Sequence, residues 1–88
     1  MIRIVRAFPL PEYRLKIKFN TGEEKIFDVK RLLKRRIFSK LRDPEVFSHV
    51  AIDEVAGTVM WPGGIDLCPD TVYEEAEPVP SITHDPAP

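Results

Sequence analysis

The chain of 88 residues contains 43% hydrophobic and 31% charged side chains, a composition typical of a folded globular domain rather than a disordered chain. That length gives room for a single hydrophobic core, and no apolar run is long enough to span a membrane. Cys68 is the one cysteine of the sequence, which excludes an intramolecular disulfide and a cysteine metal cluster.

Opposite charges are concentrated in the two halves of the chain. Residues 1–42 contain all 13 Lys and Arg side chains and four of the 14 acids, a net charge of +9. Residues 43–88 contain the other ten acids and no Lys or Arg, a net charge of −10. The asymmetry predicts either a basic and an acidic face or two halves that neutralise each other, and the sequence leaves both open.

The first strand is predicted over residues 1–8, where apolar and charged side chains alternate. It ends at Pro9, because proline has no amide hydrogen to give to a β-ladder. Arg3 and Arg6 lie where a secretory signal would be apolar, so we expect a bacterial cytoplasmic protein with no membrane association. This strand is a candidate sheet edge, and pairing of two copies into a homodimer stays open.

A β-hairpin is predicted next. From Tyr13 to Phe19 apolar side chains alternate with basic ones, the period of a strand with one buried and one wet face. Asn20-Thr21-Gly22 supplies a turn, since its glycine can take a positive φ. The returning strand is predicted from Glu24 to Val29, with Ile26 facing the core and Phe27 the weaker partner in the alternation.

From Asp28 the apolar period changes to that of a helix. Asp28 can cap its start, and apolar side chains recur at three- and four-residue spacing through Val29, Leu32, Leu33 and Ile37. Five cations occupy the complementary face: Lys30, Arg31, Lys34, Arg35 and Arg36. A second, short helix is predicted to start at Asp43-Pro44-Glu45, with proline at its first position.

The last third of the chain predicts a second hairpin and a short helix. The hairpin joins His49–Ile52 to Thr58–Trp61, and Trp61-Pro62-Gly63-Gly64 predicts a turn. Asp66 and Asp70 are interpreted as caps of the following helix. The element order is therefore β-β-β-α-α-β-β-α, a small α+β domain over residues 1–76 with helices packed on one side of antiparallel hairpins. Residues 77–88 are rich in proline and predict a mobile tail.

Few residues point to catalysis. The two histidines are His49 and His84, and neither has the context of a catalytic triad. Asp66 and the other acids of this half do not match the spacing of a calcium loop. Cys68 precedes a helix start, where a thiolate is favoured electrostatically, but a buried, inert thiol is the interpretation that we favour. We therefore expect a protein that is not an enzyme and that holds no metal and no cofactor.

The basic segment 30–36 is the stretch that most invites a ligand. Five cations in seven residues suit phosphates, each contact adding to a salt-dependent affinity. A sequence pI near 6.1 and ten acids downstream oppose nucleic-acid binding. An acidic protein partner uses the same cations and escapes part of that objection.

Several motifs together resemble a known family. They are Tyr13-Arg14-Leu15 with Phe19, Thr21-Gly22-Glu23, Phe27-Asp28-Val29 with Leu32-Leu33, Phe38, Leu41, Phe47, Val59-Met60-Trp61-Pro62-Gly63-Gly64, Asp66-Leu67-Cys68-Pro69-Asp70 and Val72-Tyr73. Over residues 1–76 the chain resembles the bacterial family known as domain of unknown function 2442, although members commonly carry Asn where this chain has Gly63. The resemblance implies a compact α+β domain, fused in some members to a DNA-binding helix-turn-helix domain. In others it lies beside a second small protein, similar to a toxin–antitoxin pair, and no catalytic residues carry over.

Three functional hypotheses follow. The leading one is a non-enzymatic, antitoxin-like binding module for a small protein partner, with candidate contact residues Arg31, Lys34, Arg35, Arg36, Trp61 and Asp66. The second is a nucleic-acid-binding accessory protein that uses the 30–36 cations. The third is a small enzyme or ligand carrier with a site around Asp66 and His49.

Overall fold

In the computed structural model, which describes residues 1–79, two antiparallel sheets are connected by short helices, and the predicted α+β class is confirmed. The first sheet has the strand order β1-β2-β3-β7, and the second has the order β4-β5-β6. The strands are β1 (Ile4–Leu10), β2 (Arg14–Phe19), β3 (Glu24–Asp28), β4 (Ala51–Asp53), β5 (Thr58–Trp61), β6 (Ile65–Leu67) and β7 (Glu77–Pro78). The helices are two 3-10 helices (Lys30–Leu32 and Arg36–Arg42), α1 (Pro44–Ser48) and α2 (Pro69–Glu75).

Strand β1 continues through Pro9, which corrects its predicted end at residue 8. Among residues 1–79, β1 is the edge of the first sheet and pairs only with β2, so its proline deprives no second neighbouring strand of a hydrogen bond. The longer strand places Phe8 opposite Lys16 and Leu10 opposite Arg14. A register shift between Ile4 and Arg6 marks a bulge near the start of the strand.

The predicted hairpin of β2 and β3 is present, but the faces of β3 are reversed from the prediction. Leu15 pairs with Phe27, and Lys16 pairs with Ile26. Since paired residues share one face of a sheet, Phe27 lies in the core beside Leu15 and is 1% exposed. Ile26 lies on the outward face instead.

No single helix covers residues 29–37. The chain forms two 3-10 helices separated by residues 33–35, of which Arg35 is extended, with ψ of 136°. Ile37, predicted on the apolar face, is 66% exposed, whereas Phe38 and Leu41 are buried. Side chains three residues apart align in a 3-10 helix, which brings Phe38 and Leu41 to one face, and like charges at 30–36 disfavour a continuous α-helix.

Helix α1 begins as predicted, with Asp43 as its N-cap accepting a hydrogen bond from the Glu45 amide. Helix α2 begins after Cys68, so Asp66 is a strand residue and not a cap. Strand β6 is not predicted from the sequence, because its three residues are too few to show an alternating pattern. No helix in residues 1–79 is long and apolar enough to cross a membrane.

The predicted boundary of the tail needs a correction at its first residues. Glu77 and Pro78 form β7 and pair with Ile26 and Lys25 of β3. Helix α2 ends beside the edge of β3 that does not pair with β2. The residues that follow the helix therefore reach backbone groups of β3 that are free to form hydrogen bonds. The remaining part of the predicted tail, residues 80–88, lies outside the described residues.

One hydrophobic core lies between the sheets and the helices. Trp61 is its largest fully buried side chain, at 1% exposure, and its indole Nε1 donates a hydrogen bond of 2.9 Å to the carbonyl of Phe47. The Trp61 and Phe47 rings stack with centroids 6.1 Å apart. The other core side chains include Ile4, Leu15, Ile17, Phe19, Phe27, Val29, Leu41, Val59 and Val72.

Candidate functional site

An open cleft of about 460 Å³ lies between the 3-10 helices on one side and β6 with α2 on the other. Its floor is apolar, and its walls carry charge. The floor consists of Phe27, Leu32, Phe38, Leu67 and Val72, and the walls consist of Arg31, Lys34, Arg35, Asp66, Cys68, Thr71 and Glu75.

The two walls have opposite charge. Arg31, Lys34 and Arg35 form the basic wall, and Asp66 and Glu75 form the acidic wall. Arg31 Nη2 lies 2.8 Å from Glu75 Oε1, so this pair joins the walls across the cleft. Both side chains are about half exposed, and such a pair contributes about 0–1 kcal/mol.

Lys34 and Arg35 are the cations available to a ligand. Both are exposed, and within residues 1–79 neither has an acidic side chain at salt-bridge distance. They lie at the break between the two 3-10 helices, where Arg35 extends the backbone. Their charges therefore face solvent at the mouth of an apolar cleft.

Cys68 lies on the opposite wall, exposed, just before helix α2. Hydrogen bonds from the Thr71 backbone N–H, the Asp70 backbone N–H and the Thr71 hydroxyl lower the pKa of its thiol below the ordinary value. The residues lining this cleft include no histidine to act as a base beside that sulfur. Within residues 1–79, no three His, Cys, Asp or Glu side chains are grouped to hold a metal ion.

Comparison with known protein families gives a match over nearly all of the described residues. A family model described as "Protein of unknown function (DUF2442)" matches residues 4–78. The chain belongs to this family. No curated protein matches the chain.

One solved relative of this DUF2442 chain is the crystal structure of a protein from Nitrosomonas europaea ATCC 19718 named "Putative DNA Binding Protein". It is 32% identical to this chain and superposes with a TM-score of 0.76. The match covers 86% of this chain and 49% of that one, so the present chain spans about half the length of its relative.

The cleft of the DUF2442 domain brings together four of the six predicted contact residues: Arg31, Lys34, Arg35 and Asp66. Arg36 is exposed at the start of the second 3-10 helix and does not line the cleft. Trp61 is a core side chain, which corrects its prediction as a contact residue. The tryptophan of the Trp61-Pro62-Gly63-Gly64 motif has a structural role, because its indole fills the core and donates a hydrogen bond to the Phe47 carbonyl.

Asp66 and His49 do not share a site, which corrects the third hypothesis. Asp66 lines the cleft, whereas His49 lies beside Pro62 and Val46 in a separate depression. His49 directly follows the last residue of α1, and its Nδ1 is 2.7 Å from the carbonyl of Glu45, one turn earlier in that helix. This contact gives the histidine a structural role at the end of α1.

Glu75 of the acidic wall and the wall residues Cys68 and Thr71 are not predicted from the sequence. The signal available was the charge asymmetry of the two halves, because the basic wall comes from residues 31–35 and the acidic wall from residues 66–75. The alternation in residues 13–19 predicts the wet face of Arg14, Lys16 and Lys18, but these cations are not among the predicted contact residues.

Proposed function

We propose that the chain is a non-enzymatic binding module whose cleft takes an acidic segment of a small protein partner. The observation that supports it is the cleft itself, where an apolar floor lies beside Lys34 and Arg35, two exposed cations with no acidic partner within residues 1–79. An apolar side chain of the partner fills the floor, and neighbouring acids contact the basic wall.

The chemistry of the cleft sets how strong this contact is. Burying one leucine-sized side chain contributes about 1.5–3 kcal/mol, and exposed charge pairs add about 0–1 kcal/mol each. The cleft alone therefore gives a modest affinity, and contacts outside it complete the interface. The charges mainly set orientation and association rate.

The finer assignment is an antitoxin-like role in a two-protein bacterial system. It rests on the arrangement that the family resemblance implies, with a second small protein beside the DUF2442 domain. A single partner of fixed stoichiometry is the behaviour this role requires.

A second candidate is a nucleic-acid-binding accessory role for the 30–36 cations. The name of the Nitrosomonas europaea relative favours it. Asp66 and Glu75 oppose it at the cleft, because phosphates bound to Lys34 and Arg35 would lie near two carboxylates.

Affinity capture from the native host tests the proposal, with the tagged full chain and nuclease-treated extract. The cleft variant is Lys34→Glu/Arg35→Glu. The matched control is Arg6→Glu/Lys18→Glu, which makes the same change in net charge on the first sheet. We expect one small protein in fixed ratio with the wild type and the control, and its loss with the cleft variant.

The outcomes separate the candidates. A partner retained by the cleft variant contradicts the proposal. Capture that disappears after nuclease treatment supports the nucleic-acid role instead. Circular dichroism of both variants checks that the fold is retained.

A further inference from the structure

The outward face of the β1–β2 hairpin forms a second charged surface, separate from the cleft. In the register of β1 with β2, Arg6 lies across from Lys18, Phe8 across from Lys16 and Leu10 across from Arg14. All six side chains therefore lie on the same side of the sheet. The alternate residues of β2, Leu15, Ile17 and Phe19, are buried, so this side faces solvent. We call it the hairpin face: Arg6, Phe8, Leu10, Arg14, Lys16 and Lys18.

Phe8 is the centre of the hairpin face. Its side chain is 48% exposed, so its ring is accessible from the solvent side of the sheet. Lys16 lies directly across from it, Arg14 and Lys18 lie on the two diagonals, and Arg6 lies two residues before it. An exposed aromatic ring is thus surrounded by four cations.

The positive charge of the hairpin face is not cancelled on its own strands. Neither β1 nor β2 contains an acid. On the neighbouring β3, Glu24 and Asp28 lie across from Lys18 and Arg14 on this side of the sheet, and Glu75 and Glu77 line the same depression as Arg14. Within residues 1–79 the one ion pair made by the four cations is that of Lys16 with Glu24, at 3.6 Å. Arg6, Arg14 and Lys18 form no ion pair within those residues and keep their charge for a ligand.

We propose that the hairpin face binds single-stranded nucleic acid, with a base stacked on Phe8 and phosphates on Arg6, Arg14, Lys16 and Lys18. The row of cations along β2 recurs every second residue, about 6.6–6.8 Å apart, and follows an extended backbone. A ring with a free face stacks any base, and flanking cations hold the phosphates. An exposed ring beside cations spaced along an extended strand is the arrangement of a single-strand-binding surface, so the combination favours a single strand.

Fluorescence anisotropy with a labelled oligothymidine of about 12 nucleotides tests this, a length within the usual site sizes of single-strand-binding domains. The variants are Phe8→Ala and Arg14→Gln/Lys18→Gln, with Phe8→Leu as the variant that keeps apolar volume and lacks the ring's π-face. A cleft control, Lys34→Gln/Arg35→Gln, shows whether the cations of the cleft take part, and the control expected to leave binding unchanged is Lys40→Gln, an exposed cation outside both surfaces. Circular dichroism and urea unfolding check each fold.

We expect the wild type and Lys40→Gln to bind the oligonucleotide alike. Both Phe8 variants lose about five- to hundredfold in affinity, the range for one stacked base. Removing Arg14 and Lys18 lowers the slope of log affinity against log salt by about 1.4, since each single-strand phosphate contact contributes about 0.7.

Several results would overturn the proposal. They are no binding by the wild type, equal affinity of folded Phe8 variants and wild type, or an equal loss in the cleft control. Preference for the matching duplex with no effect of Phe8→Ala also contradicts it. Polyglutamate that displaces the oligonucleotide equally well from the wild type and from Phe8→Ala would also contradict the proposal, because the surface would then bind acidic protein without using the ring.

Discussion

Tyr73 joins helix α2 to the first sheet. Its hydroxyl donates a hydrogen bond of 2.6 Å to Glu23 Oε1, and its ring meets the edge of Phe19 with centroids 5.0 Å apart. Lys25 Nζ lies 3.7 Å from the Tyr73 ring centroid and donates to the Tyr73 carbonyl at 2.8 Å. These contacts fix the helix that carries the acidic wall of the cleft.

The Tyr73–Glu23 hydrogen bond predicts a pH dependence of stability. It lowers the pKa of Glu23 and raises the pKa of Tyr73. The Glu23 contribution is therefore lost as pH falls through its lowered folded-state pKa, and the Tyr73 contribution is lost as pH rises through its raised one. We expect the difference in unfolding free energy between wild type and Tyr73→Phe to be largest near neutral pH. Urea unfolding across pH measures it, and a pH-independent difference contradicts the assignment.

Glu12 and Tyr13 both adopt left-handed backbone conformations, with φ of 65° and 60°. Tyr13 is held there by the Val29 amide, the Arg42 carbonyl and the Phe47 ring, whereas Glu12 is exposed. Asparagine tolerates this conformation better than glutamate, so Glu12→Asn should raise the unfolding free energy by up to about 1 kcal/mol. Glu12→Ala removes the same charge without that tolerance and serves as control. Equal urea midpoints for the two variants would contradict the explanation.

At the scale of elements, the buried indole of Trp61 links β5 to the end of α1. Trp61→Phe leaves the Phe47 carbonyl without its donor in a buried place, which costs about 1–3 kcal/mol. Urea unfolding followed by circular dichroism measures the loss. We expect the folded variant to bind the partner as the wild type does, and lost binding by a folded variant would restore Trp61 as a contact residue.

The elements that sequence reasoning predicts are those with an unambiguous period. The strict alternation of residues 13–19 fixes β2, and Asp43 with Pro44 fixes the start of α1. Residues 29–41 are ambiguous, since spacings of three and four suit an α-helix or successive 3-10 turns, and packing of Phe38 in place of Ile37 decides between them.

The candidate site likewise has a part that can be predicted from the sequence and a part that cannot. Its cations are visible as a cluster in one short segment, so Arg31, Lys34 and Arg35 are predictable. The place of Asp66 and Glu75 opposite these cations is not predictable, because it depends on the pairing of β6 with β5 and on the direction of α2. It brings together two walls, from residues 31–35 and 66–75, that are more than 30 residues apart in the chain.

At the scale of the molecule, the opposite charges of the two halves meet at the cleft without cancelling. Arg31 and Glu75 form the one ion pair between the halves among residues 1–79. Lys34 and Arg35 of the basic wall therefore have no acidic partner within residues 1–79, and the hairpin face lies on the outward side of the first sheet.

Glu75→Gln tests how this ion pair affects binding. Removing the acid frees Arg31 and reduces repulsion of an acidic segment, so we expect severalfold tighter binding of the captured partner. The unfolding free energy should change by about 0–1 kcal/mol, as for an exposed pair. Titration calorimetry measures the affinity, with Glu74→Gln as the control for an exposed acid outside the cleft, and weaker binding by Glu75→Gln would contradict a basic recognition wall.

Photo-crosslinking from Cys68 tests the central claim most directly. Cys68 is the one thiol of the chain and lies on the cleft wall, so a benzophenone maleimide attached there reports what enters the cleft. The matched control carries Val55→Cys with Cys68→Ser, because Val55 is exposed in the β4–β5 turn. In nuclease-treated host extract we expect one protein adduct from Cys68, its loss with Lys34→Glu/Arg35→Glu, and none from position 55. The same adduct from both positions, or no protein adduct from Cys68, would contradict a partner-binding cleft.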